Sequence, residues 1–104
     1  GENELIETLI GEALVKQVFQ LSDSSKIAGS IIESGKVTSK CFVKAYRNDE
    51  MIFDGTLLSL RREKDQVKEV VSGTECGIGL KDFNDLKEKD VLKFFTREKN
   101  EKKP

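Results

Sequence analysis

Cys41-Phe42-Val43-Lys44-Ala45-Tyr46-Arg47-Asn48-Asp49-Glu50-Met51-Ile52-Phe53 is the stretch that decides the fold. Its first six residues are apolar apart from Lys44 and carry the β-branched and aromatic side chains that suit a pleated, half-buried surface. Arg47-Asn48-Asp49 then turns the chain tightly into a second apolar run, Met51-Ile52-Phe53. Asn and Asp tolerate the left-handed backbone such a turn demands. A β-hairpin is expected here, and the same period extends in both directions.

Upstream, Val15, Gln17 and Phe19 alternate with Lys16 and Val18 in a strand ending at Leu21, and Ser22-Asp23-Ser24-Ser25 forms a turn. Ile27 to Ile32 resumes strand character, with Gly29 a candidate bulge or close backbone approach, and Ser34-Gly35 marks a further turn. Downstream, Gly55 interrupts, and Thr56–Leu60 and Val67–Val71 give strand pieces around a charged corner. Ser72-Gly73 turns into Cys76-Gly77-Ile78-Gly79-Leu80, Asp82–Asp90 is a polar loop carrying Phe83 and Leu86, and Val91–Thr96 is the last strand. About seven or eight short strands with regular turn signals describe an all-β sandwich or small closed barrel.

The two ends look different. Leu5, Ile6, Leu9 and Ile10 have the spacing of a short helical stripe, so residues 1–12 are expected as a helical stub or linker. Residues 97–104 contain no apolar side chain and are expected to form a disordered, charged tail. Residues 13–96 are left as one β-barrel domain. The chain opens at Gly1, not at a methionine, which reads as a fragment of a longer protein.

Composition narrows the chemistry. There are 18 Lys and Arg against 19 Asp and Glu, a net charge of −1, so extensive coating of duplex phosphates is not expected. A short single-stranded end needs no such basic excess. Without any histidine the chain has no Ser-His-Asp triad, Cys-His pair or histidine-ligated metal, and two cysteines are too few for a thiolate zinc site. No phosphate-binding GxxxxGK[ST] loop, membrane-length apolar run or signal-peptide core is present. The expectation is a reduced, monomeric binding domain with no catalytic residues, no metal, no cofactor and no membrane partner.

Three places could bind something. Leu60-Arg61-Arg62-Glu63-Lys64-Asp65 is a polar corner whose guanidinium groups can grip phosphate or stack on a base. On pattern alone, a solvated hairpin whose charges pair with one another explains it more simply. Glu75-Cys76-Gly77-Ile78-Gly79 sets two glycines around a short apolar run, allowing close approach of a ligand or merely a tight barrel corner with Cys76 buried. Ile27-Ala28-Gly29-Ser30 could open space beside a pocket, and a plain bulge explains it equally well.

Taken together, these segments resemble one family. Ile27-Ala28-Gly29, Gly35-Lys36-Val37, Gly55, Ser59-Leu60-Arg61-Arg62 with Lys64-Asp65, Val67-Lys68-Glu69-Val70, Gly73-Thr74-Glu75-Cys76-Gly77-Ile78, Phe83-Asn84-Asp85 and Lys87-Glu88-Lys89-Asp90-Val91 look like the last domain of bacterial-type translation initiation factor two. The match runs from about Ala13 to Phe95, and its S-L-[KR]-R-x-K-D and E-C-G-[IL] elements are specific.

The resemblance implies a small closed antiparallel barrel of the translation-factor type. It also implies recognition of the formylmethionyl-CCA end of initiator tRNA, with the ribosome engaged through the full-length factor. The residues it places at the tRNA are Gly29, Ser30, Arg61, Arg62, Lys64, Glu75, Cys76 and Gly77. Any GTP hydrolysis would belong to a domain outside this chain. The compartment would be a bacterial cytoplasm, or an organelle (mitochondrion or plastid) for a eukaryotic parent.

The chain departs from the family pattern at Ser30, usually cysteine, at Thr74, commonly aromatic, at Glu63, often apolar or aromatic, and at Asp23 and Ser25, often a basic residue and a glycine. An apolar pocket around Cys76 and Gly77 is expected to accept the neutral formyl amide. The alternative is a barrel that docks onto the ribosome or a neighbouring domain without touching tRNA.

Overall fold

The computed structural model describes residues 3–101, and their regular structure is entirely strand. The elements are β1 (Asn3–Gln20), β2 (Lys26–Thr38), β3 (Phe42–Arg47), β4 (Glu50–Arg62), β5 (Asp65–Gln66), β6 (Glu69–Val71), β7 (Glu75–Leu80) and β8 (Val91–Glu101). The hairpin expected around residue 48 is present. Arg47 pairs with Glu50, and the intervening Asn48 and Asp49 adopt φ of 52° and 65°. Two successive left-handed residues give a turn whose twist matches that of the flanking strands.

Every pairing is antiparallel. The sheet runs β1-β8-β3-β4-β7-β2, and β2 pairs back onto β1, so the ring closes. Closure removes the free edges that an open sheet of this size would expose. Alternate residues point inward, and Val15, Ile32, Val43, Leu60, Ile78, Leu92 and Phe94 are buried there. Small Ala13, Ala28 and Ala45 share the interior with Phe94, the largest of the fully buried side chains. This alternation determines which residues are left to face outward and build a site.

The helix expected near the N-terminus does not form. From Asn3 onward these residues are β1, and Gly1 and Glu2 lie outside the described residues. Their backbone pairs with β8, from Asn3 opposite Glu101 to Leu9 opposite Phe95. A helix this short is marginal by itself, whereas the ladder satisfies backbone groups on both strands. The apparent apolar stripe is an accident of spacing. Leu5 and Ile6 point to opposite faces and are both exposed, while a register shift between Leu9 and Gly11 lets Ile10 pack against the core.

The same pairing corrects the C-terminal expectation. Arg97–Glu101 continue β8 and are not a disordered tail, while residues 102–104 lie outside the described part. Backbone pairing with β1 and the polar anchoring of Arg97 replace the apolar burial that the sequence lacks. Arg97 Nε donates to Glu7 at 2.8 Å, and its guanidinium stacks 4.1 Å from the centre of the Phe42 ring.

Two further turn signals prove to lie inside strands. Gly55 sits within an unbroken β4, and Ser34-Gly35 lies within β2. Gly35 has φ of 62° and faces Gly11. A Cβ on Gly35 would fall 2.0 Å from the Ile10 carbonyl oxygen, and one on Gly11 would fall 2.2 Å from that of Lys36. The glycines therefore serve a close crossing of two backbones, which no larger residue could occupy.

Candidate functional site

The site is built on a row of residues running across four strands. Gln17 on β1 pairs with Gly29 on β2, Gly29 with Gly77 on β7, and Gly77 with Arg61 on β4. Gly29 and Gly77, far apart in sequence, are thus direct neighbours and form a floor without side chains. Ala28, Ser30, Cys76 and Ile78 flank them in sequence and, by strand alternation, are buried.

A β1 bulge sets the near wall. Val15 pairs with Ser30 and Gln17 with Gly29, leaving Lys16 as the extra residue. Val15 accordingly points into the core, whereas Gln17 and Phe19 emerge on the outer face. The simple alternation expected for Val15, Gln17 and Phe19 is broken at this point. Phe19 leans over the floor, with its Cε2 only 3.1 Å from where a Gly29 Cβ would stand. Ile27 Cγ2 lies 2.9 Å from the corresponding position on Gly77.

The result is an open groove of about 750 Å³ on the outer face of the barrel. Gly29, Ser30, Arg61, Arg62, Glu75, Cys76 and Gly77 all line it, so seven of the eight residues singled out from the sequence are brought together. Lys64 is not among the lining residues. It lies with Glu63 at the tip of the link between β4 and β5, beyond the Arg62–Asp65 pair. Ile27 belongs to the third place that the sequence pointed to, but Phe19 and Leu21, which complete the apolar wall, and Lys16 and Gln17 beside them were not singled out. The available signal was a large apolar residue at an outward strand position, which a bulge disguises.

The chemistry of the lining is specific. Ser30 is 1% exposed, and its hydroxyl donates to the Ala28 carbonyl at 3.1 Å. The Cys76 side chain is also buried, and burial pushes its thiol up to about 11. The thiol is therefore largely protonated near pH 7, and burial makes it a poor nucleophile. The apolar surface expected around Cys76 comes instead from Phe19, Leu21 and Ile27.

Arg61 is half-buried, and its Nε donor is buried without a hydrogen-bond partner. Such a donor is costly to leave unmet. Among the described residues, no carboxylate lies within ion-pair distance of Arg61, Arg62 or Lys64. The charged corner is thus not a set of mutually paired side chains. Nearby, the Ser25 hydroxyl and amide both donate to Asp23 and hold its carboxyl below the usual range, with a smaller contribution from Arg61.

Fold and groove together define a small closed antiparallel β-barrel with a ligand-sized cleft on its outer face, within the usual range of about 300–1,000 Å³. No protein-family model matches the chain. It is 45% identical over 102 residues to translation initiation factor IF-2 of Syntrophus aciditrophicus, a match covering 98% of the chain and 11% of that protein. Translation initiation factor IF-2 of Clostridium botulinum is 41% identical over 102 residues, covering 98% of the chain and 15% of the relative. The factor of the same name from Dehalococcoides mccartyi is 42% identical over 99 residues, 95% of the chain and 17% of the relative. Over nearly its whole length the chain is homologous to one segment of translation initiation factor IF-2, and it spans less than a fifth of the length of the curated relatives it matches.

Proposed function

We propose that the chain serves translation initiation by holding the formylmethionyl-CCA end of initiator tRNA in the outer groove. The observation that carries this reading is the convergence of Gly29-Ser30, Arg61-Arg62 and Glu75-Cys76-Gly77 on one cleft. Arg61 and Arg62 meet the terminal phosphates or stack on the last adenine. The glycine floor lets the formyl amide approach the backbone closely.

Discrimination follows from desolvation. A free aminoacyl ester carries an ammonium group, which is expensive to bury without a partner. Formylation converts it to a neutral amide with one donor and one acceptor. A cleft walled by Phe19, Leu21 and Ile27 accepts that amide and disfavours the charge. Few phosphates are engaged, so affinity falls only gently with salt compared with a duplex binder.

An NMR titration of the labelled chain with formylmethionyl-tRNA, using unformylated methionyl-tRNA as the control, tests the reading. Shifts at Ser30, Arg61, Arg62 and Glu75–Gly77 with the formylated ligand alone are the expected result. Equal binding of both ligands would remove the desolvation mechanism. Silence with both would turn attention to docking, for which the exposed Leu5 and Leu9, on one face of the β1–β8 ribbon, offer an apolar surface.

A further inference from the structure

We infer that Arg47 is a positioning residue for the groove: by gripping Asp90 it fixes the β1 backbone at Val15, and with it the wall carrying Gln17 and Phe19. Where ligand affinity is the readout, the inference rests on the acceptor-end reading above.

Val15 is the last residue of β1 held from both sides. It stands opposite Ser30 of β2 on one side. On the other, its amide donates to the Asp90 carbonyl at 2.9 Å and its carbonyl accepts from the Lys89 amide at 2.8 Å. From Gln17 to Gln20 the strand pairs with β2 alone. The extra residue Lys16 separates the two stretches, and Gln17 and Phe19 beyond it line the groove. The direction in which this wall leaves the barrel is therefore set at Val15, one residue before the bulge.

Arg47 is what holds Asp90 and Lys89 in place. Its guanidinium donates to the two carboxylate oxygens of Asp90 at 2.9 and 2.8 Å, and to the Asp85 carbonyl at 2.7 Å. Lys89 has φ of 75°, a left-handed conformation that persists only where its surroundings hold it. Without Arg47, the buried Asp90 carboxylate keeps the Lys87 amide as its one hydrogen-bond partner among the described residues. A charge buried in that way is costly, and turning it out to water moves the two backbone groups that Val15 depends on. Arg47 does not line the groove, so it has no direct contact to offer a ligand seated there.

The test measures Kd for formylmethionyl-tRNA, and amide shifts and hydrogen exchange by NMR, for the wild-type chain, Arg47→Ala and Val43→Ala. All are compared well below their melting temperatures. Val43 is buried and pairs with Gly55 of β4 and Phe94 of β8, so its truncation loosens the core and leaves the Arg47–Asp90 grip intact. Arg47→Ala should raise Kd about tenfold, the factor expected if the productive arrangement is held about a tenth of the time. It should also speed exchange at the Val15 and Lys89 amides and shift those of Gln17 and Phe19. Val43→Ala should leave Kd and the Gln17 and Phe19 amides near wild type. Arg47→Lys keeps a charge beside Asp90 without the paired bonds; it should fall between, and it replaces the alanine variant if that one does not fold. An unchanged Kd in Arg47→Ala, or an equal loss in Val43→Ala, overturns the inference while acceptor-end binding stands. A wild-type chain that does not bind formylmethionyl-tRNA overturns the acceptor-end reading. The NMR data then decide the inference by themselves: movement at Val15, Gln17, Phe19 and Lys89 supports it, and its absence overturns it.

Discussion

Arg47 grips Asp90 with two parallel hydrogen bonds, Nε to Oδ1 at 2.9 Å and Nη2 to Oδ2 at 2.8 Å. Asp90 is 1% exposed, and its Oδ2 also accepts from the Lys87 amide at 2.8 Å. Arg47 further donates to the Asp85 carbonyl at 2.7 Å, so one guanidinium ties the end of β3 to both ends of the Asp85–Asp90 loop. That loop holds β1 in turn, since Lys89 N donates to the Val15 carbonyl and Val15 N donates to the Asp90 carbonyl. Asp90→Ala leaves the Lys87 amide and the guanidinium without their shared acceptor. A loss of about 2 kcal/mol in unfolding free energy is expected, the scale for losing hydrogen bonds to a charged group whose guanidinium partner still meets solvent. Chemical denaturation of the variant checks this, and a change indistinguishable from zero would rule out a structural role for the pair.

The groove floor gives a second prediction. Gly77→Ala places a methyl group 2.9 Å from Ile27 Cγ2, the branch methyl of a β-branched side chain, so Ile27 or its strand must shift. The fold should survive with a loss of about 1–3 kcal/mol, the scale for overpacking by one methyl group. Affinity for formylmethionyl-tRNA should nevertheless fall by ~10-fold or more, because a single methyl in a close-fitting pocket is worth that much. Unchanged binding together with an unchanged melting curve would place the ligand elsewhere.

Acid stability should depend on Glu7. Hydrogen bonds from Lys44 and Arg97, at 2.8 Å each, hold the Glu7 carboxyl below its ordinary value of 4.5. Because the folded value is the lower one, the stabilisation is fully present above about pH 4.5 and is lost as pH falls through that lower value. Glu7→Gln should therefore flatten the decline in stability between neutral and strongly acidic pH. Parallel pH profiles for variant and wild type would show that the pair contributes nothing.

Both thiols should be inert in the native chain. Burial raises the Cys41 thiol, partly offset by hydrogen bonding at Thr38, and pushes that of Cys76 up to about 11. Iodoacetamide at pH 7.5 should leave both unlabelled until denaturant is added, after which both should react. Rapid native labelling of Cys76 would mean that its side chain turns out into the groove.

The hairpin at Asn48-Asp49 was legible because its signal is local. Two residues that tolerate positive φ separate two apolar runs, and nothing distant is needed to complete the inference. The motifs around Arg61 and Cys76 were legible as candidates for the same reason, although not their meeting place. Phe19 was missed because a single bulge at Lys16 reverses which face its strand presents, and a bulge is marked only by the strand opposite.

The sequence by itself determined the strand-rich, all-β architecture, the absence of histidine chemistry and the residues to suspect. Period-two runs and turn residues act over a few positions, so a chain carries them openly. Tertiary structure alone decided that Asn3–Ile10 is strand and not helix, because its partner Phe95–Glu101 lies at the opposite end of the chain. It also decided that Gly29 and Gly77 adjoin and that Cys76 turns inward while Phe19 turns out. Each of these depends on the register between distant strands. A register shift of one residue reverses every side chain on a strand, so the lining of the groove is settled only when the ring closes.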